Sequence, residues 1–144
     1  MFGIFKKAKR EPDALNTVDD LARLIRSLGA EPAGEKIKRA AREGNLNCQV
    51  FMSQAGLSIP QSSRTPHVQQ ETWEFTKLAA ESGDAGSQFN FAKLWIDRID
   101  ASAESWSEQE WSFIRTAKSW HRRAAAQGFK PSVDSLKNLE CFPD

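Results

Sequence analysis

The chain has 144 residues, about the length of one ordinary domain, and its twenty Lys and Arg against nineteen Asp and Glu leave a formal charge of +1. This balance lacks the strong positive charge typical of a nucleic-acid binder, and two cysteines are too few for a disulfide framework. Mean hydropathy is -0.57 and the apolar runs are shorter than a membrane span, so we expect a soluble, cytoplasmic protein.

The first ten residues differ in character from the rest of the sequence. Phe2 and Phe5 come before Lys6, Lys7 and two further cations, which reverses the order found in a secretory signal peptide. Without these four cations, sixteen basic and nineteen acidic residues remain, a charge of -3. We expect residues 1–16 to form an arm that docks on the domain, and contact of its aromatic and basic side chains with a membrane surface is the alternative.

Capping residues, helix breakers and apolar spacing predict about seven helices and no sheet. Capping-box patterns begin the first helix at Thr17–Asp20 and the longest helix at Ser107–Glu110. The stretch Gly56–Pro66 is rich in Gly, Pro and Ser, which predicts a loop. The predicted helices are Thr17–Leu28, Pro32–Gly44, Leu46–Ala55, His67–Ser82, Ala85–Arg98, Ser107–Gln127 and Pro131–Leu139.

Three of these helices end in the same pattern, Ala-Ala-x-x-Gly. The glycines are Gly44, Gly83 and Gly128, separated by 39 and 45 residues, a spacing at which two-helix repeat units occur. A glutamine follows the glycine by five residues in two copies, at Gln49 and Gln88. The pattern predicts internal repeats in which each glycine ends one helix and the next helix returns antiparallel.

These residues resemble the Sel1-like repeat family of TPR-like proteins. The best-matching copy runs from Phe75 through Gln88, and a second match covers Ala117 to Gly128. The resemblance implies an all-α fold, a short α-solenoid of antiparallel helix pairs within one domain at 17–144. Its degenerate units are about 17–56, 66–99 and 107–139. Val133 departs from the family pattern, because it stands where the repeat has Gln.

Positions that are equivalent between the repeats, or that lie on apolar stripes, form the expected core. The Ala-Ala-x-x-Gly residues themselves are interpreted as structural. The expected interior residues are Leu24, Ile37, Ala40, Phe51, Phe75, Ala79, Phe91, Leu94, Trp95, Trp106, Phe113, Ala117, Trp120, Ala124 and Leu136.

The sequence contains no recognisable catalytic pattern. His67 and His121 lack a second ligand at metal-binding spacing, and no glycine-rich phosphate loop is present. Cys48 takes a small interior position of a repeat, which favours a buried, inert thiol over a nucleophile. We therefore predict no catalytic residue, no metal and no cofactor.

Two tryptophans suggest a binding surface. At 100° per residue, Trp73 and Trp111 each lie about 160° from the core stripe of their own helices. Arg115, Lys118 and Arg122 share the face of Trp111. We predict that these five residues bind a protein partner, the alternatives being packing between repeats for the tryptophans and a solvated face for the cations.

The resemblance implies a non-enzymatic protein-protein interaction module, because Sel1-like proteins are chiefly adaptors and regulators of complexes. A bacterial immunity protein that neutralises a toxin or effector is a narrower form of this hypothesis. A membrane-associated scaffold anchored through residues 1–10 and an unrecognised enzyme are the alternatives.

Overall fold

A computed structural model describes residues 15–144 of the chain, and over this range the protein is all-helical, with no strand. The predicted all-α class with about seven helices is thus confirmed, whereas the expectations for the side chains of residues 1–10 lie outside the described residues. The elements are α1 (Val18–Leu28), α2 (Ala30–Arg42), α3 (Leu46–Leu57), a 3₁₀ turn (Gln61–Ser63), α4 (Pro66–Glu81), α5 (Ala85–Ile96), α6 (Glu108–Ala126) and α7 (Lys130–Leu139).

Local chemistry sets where these helices begin. Both predicted capping boxes form, with the Thr17 hydroxyl accepting from the Asp20 N–H and the Ser107 hydroxyl from the Glu110 N–H. Some boundaries differ from the prediction: α2 begins at Ala30 instead of Pro32, and α5 ends at Ile96 instead of Arg98. The α3 helix continues through Gly56 to Leu57 instead of ending at Ala55. Gly56 is buried within α3 and lies close against Thr72 of α4.

The three Ala-Ala-x-x-Gly patterns form the same helix end. Gly44, Gly83 and Gly128 have φ angles of 106°, 100° and 81°, a left-handed region that favours glycine. In each case the glycine N–H donates to the carbonyl of the second alanine, at 3.1, 3.1 and 2.9 Å. The N–H of the next residue donates to the first alanine, at 2.9, 3.2 and 3.2 Å. The predicted placement of these glycines at helix ends is confirmed.

Two buried glutamines repeat a second set of hydrogen bonds. Gln49 Nε2 donates to the Ala41 carbonyl at 3.0 Å, and Gln88 Nε2 donates to the Ala80 carbonyl at 3.1 Å. Their side-chain oxygens accept from the residue before the next of the three glycines: Ser82 Oγ donates to Gln49, and Gln127 Nε2 donates to Gln88, both at 3.0 Å. Each glutamine therefore joins its own helix pair to the following one.

Consecutive helices pack against each other from α1 to α7, and α2 also contacts α4. The largest wholly enclosed side chains include Phe75, Leu21, Ile37 and Ile114. Leu15, within the predicted arm, is also buried against this core. Of the expected interior, these positions are buried: Leu24, Ile37, Phe75, Ala79, Phe91, Ala117 and Ala124.

The other expected core residues are only partly buried, including the three tryptophans assigned to the interior. Trp120 contacts Phe91 at 5.2 Å between ring centroids, while the Arg123 guanidinium lies 4.3 Å from its ring. Large indole rings fit more readily at the rim of a small core than inside it. The partly buried positions are Ala40, Phe51, Leu94, Trp95, Trp106, Phe113, Trp120 and Leu136.

Candidate functional site

The five residues predicted to bind a partner lie in two groups with different neighbours. Trp73 on α4 packs against α5, with ring centroids 4.9 Å from Phe91 and 4.8 Å from Trp95. Trp111 on α6 contacts Trp106 at 5.2 Å instead. The structure therefore brings Trp111 together with its basic neighbours on α6 and places Trp73 in a separate aromatic cluster.

A groove of about 400 Å³ lies between the start of α4 and the end of α5, and Trp73 forms part of its wall. A second depression of about 420 Å³ shares four of its residues, including Leu94 and Asp97, and continues to α3. We call the first depression the α4–α5 groove. Its lining residues are Gln61, Arg64, Pro66, Gln69, Gln70, Thr72, Trp73, Leu94, Asp97 and Arg98.

The Arg98 guanidinium is held over the aromatic wall of the α4–α5 groove. Its Cζ lies 4.3 Å from the Trp73 ring centroid and 5.3 Å from that of Trp95. Cation–π attraction of this kind is worth about 0.5–1 kcal/mol at exposed sites, enough to favour one position of the side chain. Within the described part of the chain, its N–H groups donate no hydrogen bond, so all remain available to a ligand.

Asp97 lies beside Arg98 and lines both of these depressions as well as a third one, which is bordered by α5 and α7. It is the residue that caps the carboxyl end of α5, where a negative charge is unfavourable for the helix dipole. No hydrogen bond or ion pair to its carboxylate is formed by residues 15–144. Helix stability therefore does not explain the position of this carboxylate.

Two of the basic residues of α6, Lys118 and Arg122, are already engaged by the last residues of the sequence. Lys118 Nζ donates to the Phe142 carbonyl at 2.8 Å and lies 2.6 Å from Asp144 Oδ1. Arg122 also donates to Asp144 Oδ1, at 2.6 Å. The hydrogen bonds that Lys118 and Arg122 donate to the Asp144 carboxylate lower its pKa to about 2. We call Trp106, Trp111, Lys118 and Arg122 the α6 surface.

Two of the predicted basic residues, Lys118 and Arg115, are not simply surrounded by solvent. Lys118 is only 4% exposed, because Phe142 and Asp144 pack over it. Arg115 pairs with Glu108 at 2.6 Å and forms no contact with Asp144. The sequence reasoning missed Phe142 and Asp144, although an aromatic and an acidic residue beyond the last helix were available partners for a basic, tryptophan-bearing face.

His121 and Ser132 form a buried pair between α6 and α7. His121 Nδ1 lies 3.2 Å from Ser132 Oγ, and burial lowers the pKa of the imidazole. Since Ser132 is wholly enclosed, this hydrogen bond holds two helices together and does not present a hydroxyl to a substrate. Burial has the opposite effect on an acid and raises the pKa of the Cys48 thiol to about 11, which disfavours the reactive thiolate.

Residues 15–144 contain no group of three His, Cys, Asp or Glu side chains placed to hold a metal ion. None of their helices has the length and apolar character needed to cross a membrane. Family models, curated proteins and solved structures yield no match to the chain. The Sel1-like resemblance therefore depends on the motif residues of this sequence alone.

Proposed function

We propose that the protein is a non-enzymatic protein-binding module, a short α-solenoid of Sel1-like, TPR-like helix pairs whose partner occupies the α4–α5 groove. An adaptor and an inhibitor of a toxin or effector, such as a bacterial immunity protein, are both forms of this proposal. The identity of the partner protein would distinguish an adaptor from an inhibitor.

The repeated hydrogen bonds support the solenoid part of the proposal. Gln49 and Gln88 make equivalent bonds 39 residues apart, each to its own helix pair and to the next. Repetition of a buried polar contact at a fixed interval is expected when similar units stack by similar rotations.

The position of Arg98 over Trp73 supports the binding part most directly. Arg and Trp are enriched among the residues that dominate the binding energy of protein interfaces. Here the two side chains contact each other at 4.3 Å in the wall of an open groove. Because the aromatic rings already hold the guanidinium, less side-chain entropy is lost when a partner binds it.

The remaining polar groups of the groove suit an extended stretch of polypeptide. Gln61, Gln69 and Gln70 are exposed and form no side-chain hydrogen bond with residues 15–144. A carboxamide both donates and accepts, so it can bond the N–H and C=O groups of a peptide backbone. The Asp97 carboxylate, which forms no ion pair with residues 15–144, adds a site for a basic side chain of the partner.

A charge reversal at Arg98 tests this proposal, with Arg26→Glu as the matched control. Both arginines are exposed, and Arg26 lies on α1, which packs mainly on α2. Immobilised wild-type protein would capture partners from a lysate of the source organism, and calorimetry would then measure the affinity of the purified partner. We expect Arg98→Glu to weaken binding at least tenfold, about 1.4 kcal/mol, and Arg26→Glu to change it less than twofold.

Equal affinities for the Arg98→Glu and Arg26→Glu proteins would exclude the α4–α5 groove as the interface. If the wild-type protein chemically converted the captured molecule, the proposal of a binding module would be wrong and the protein would be an enzyme.

A further inference from the structure

Residues 140–144 lie across the α6 surface as a ligand would. The Phe142 ring is 5.6 Å from Trp106 and 6.1 Å from Trp111, measured between centroids. The Phe142 carbonyl accepts from Lys118, and the Asp144 carboxylate lies between Lys118 and Arg122. One short segment thus places an aromatic ring against two tryptophans, a carbonyl on a lysine and a carboxylate between two cations.

The α6 surface has the chemistry of a recognition site for an acidic segment. Two tryptophans accept an aromatic ring, and two cations accept a carboxylate that follows the ring by two residues. Pro143 separates Phe142 from Asp144, and its ring fixes its own φ and reduces the freedom of the backbone. The spacing that fits is therefore aromatic-x-acid.

The contact of residues 140–144 with α6 is of a kind that another segment can displace. The Asp144 side chain is 69% exposed and that of Arg122 is 52% exposed, so solvent screens their attraction, whereas the Lys118 side chain of the second ion pair is only 5% exposed. Exposed ion pairs contribute little to stability, and salt weakens them further. No disulfide secures the segment, because Cys141 is a free, exposed thiol.

We propose that the α6 surface binds an acidic segment of a partner protein with an aromatic-x-acid sequence, and that Phe142–Asp144 is an intramolecular competitor for the same site. A tethered segment has an effective concentration on the order of millimolar, so a partner must bind better than the chain's own residues. The inference depends on the proposed function only in that its ligand is a protein segment.

The test compares full-length chains that differ in their own competitor. The released variant carries Phe142→Ala and Asp144→Asn, and a second variant adds Arg122→Ala to these changes. The probe is a labelled synthetic peptide of residues 137–144 with Cys141→Ser, and fluorescence anisotropy reports its binding. A peptide that also carries Asp144→Asn is its control.

We expect the peptide to bind the released variant at least tenfold more tightly than the wild-type chain. Addition of Arg122→Ala, or use of the Asp144→Asn peptide, should weaken binding at least fivefold, and salt should weaken it further. Arg98→Glu in the released background should leave peptide affinity unchanged, which separates this site from the α4–α5 groove. Equal binding to wild-type and released chains, or no binding to either, would overturn the proposal.

A second measurement keeps the proposal testable if the released variant does not fold. 4-Fluorophenylalanine at position 142 of the otherwise unchanged chain reports by ¹⁹F NMR whether its own ring is docked. Millimolar peptide should shift this resonance towards that of an unstructured chain. A resonance that stays unchanged would show that the segment is a fixed part of the fold.

Discussion

Gly56 of α3 and Thr72 of α4 approach so closely that a Cβ atom on Gly56 would lie 2.0 Å from Thr72 Oγ1 and 2.9 Å from Thr72 Cβ. Both residues are buried, and Thr72 Oγ1 is held by a 2.7 Å hydrogen bond to the Val68 carbonyl. The threonine therefore has little freedom to move aside, and only glycine permits this distance between the two helices.

Gly56→Ala should destabilise the protein by about 1–3 kcal/mol, the usual cost of an extra group in a filled core. Gly34→Ala in α2 is the control, because a Cβ there meets nothing within 4 Å. It should stabilise the helix by about 0.5–1 kcal/mol. Urea unfolding of both variants measures the difference, and a Gly56→Ala chain as stable as the wild type would contradict the close packing.

Gln88→Met should cost about 1–3 kcal/mol although the side chain keeps its size, since two hydrogen bonds are lost, one to the Ala80 carbonyl and one from the Gln127 amide. The exposed Gln54 offers a matched substitution, and Gln54→Met should stay within about 0.5 kcal/mol of the wild type. Chemical denaturation compares the two. Similar free energies of unfolding would show that the bridge between helix pairs contributes nothing.

Acid should weaken the contact of residues 140–144 with α6. The pKa of Asp144 is lowered from 3.8 to about 2, so its contribution is fully present above pH 4 and is lost as the pH falls through about 2. An NMR titration of the Asp144 carboxylate should give this low pKa, and Arg122→Gln should move it towards 3.8. Fluorescence of Trp106 and Trp111 should change over the same range. An ordinary Asp144 pKa in the wild-type chain would rule out the paired state.

His121 predicts a second effect of pH, at milder acidity. Burial lowers the pKa of its imidazole below 6.5, so the unfolded chain binds a proton that the folded chain does not. Stability should therefore decrease as the pH falls below about 6.5. His121→Gln should reduce the slope of stability against pH between 7 and 5, measured by urea unfolding at each pH. An unchanged slope would assign the titration to another group.

The helices could be predicted from sequence because their ends are local. Thr17 and Ser107 cap the helices that follow them, and Gly44 supplies a φ angle that the preceding alanines cannot adopt easily. Only nearby residues are needed to infer such features. Gly56 shows the limit: its neighbours in sequence suggested a loop, but its role is set by Thr72 on the next helix.

The candidate site was less predictable because its contacts join residues far apart in the chain. The angular position of Trp73 and Trp111 placed both off the core stripe, but it did not show what would cover them. Lys118 is buried by Phe142, 24 residues later, and a helical projection contains no such information. Asp97 gave no pattern at all, since a single acid after an apolar helix is common.

The glutamine bridges also bear on how the molecule opens. Gln49 and Gln88 connect successive helix pairs from α2 to α6, whereas Val133 holds the corresponding place in α7 and can form no such bond. Local opening in helical arrays spreads between units in proportion to the contacts that join them. Amide hydrogens of α7 should therefore exchange with solvent sooner than those of α4 and α5, which are expected to open together as one cooperative block.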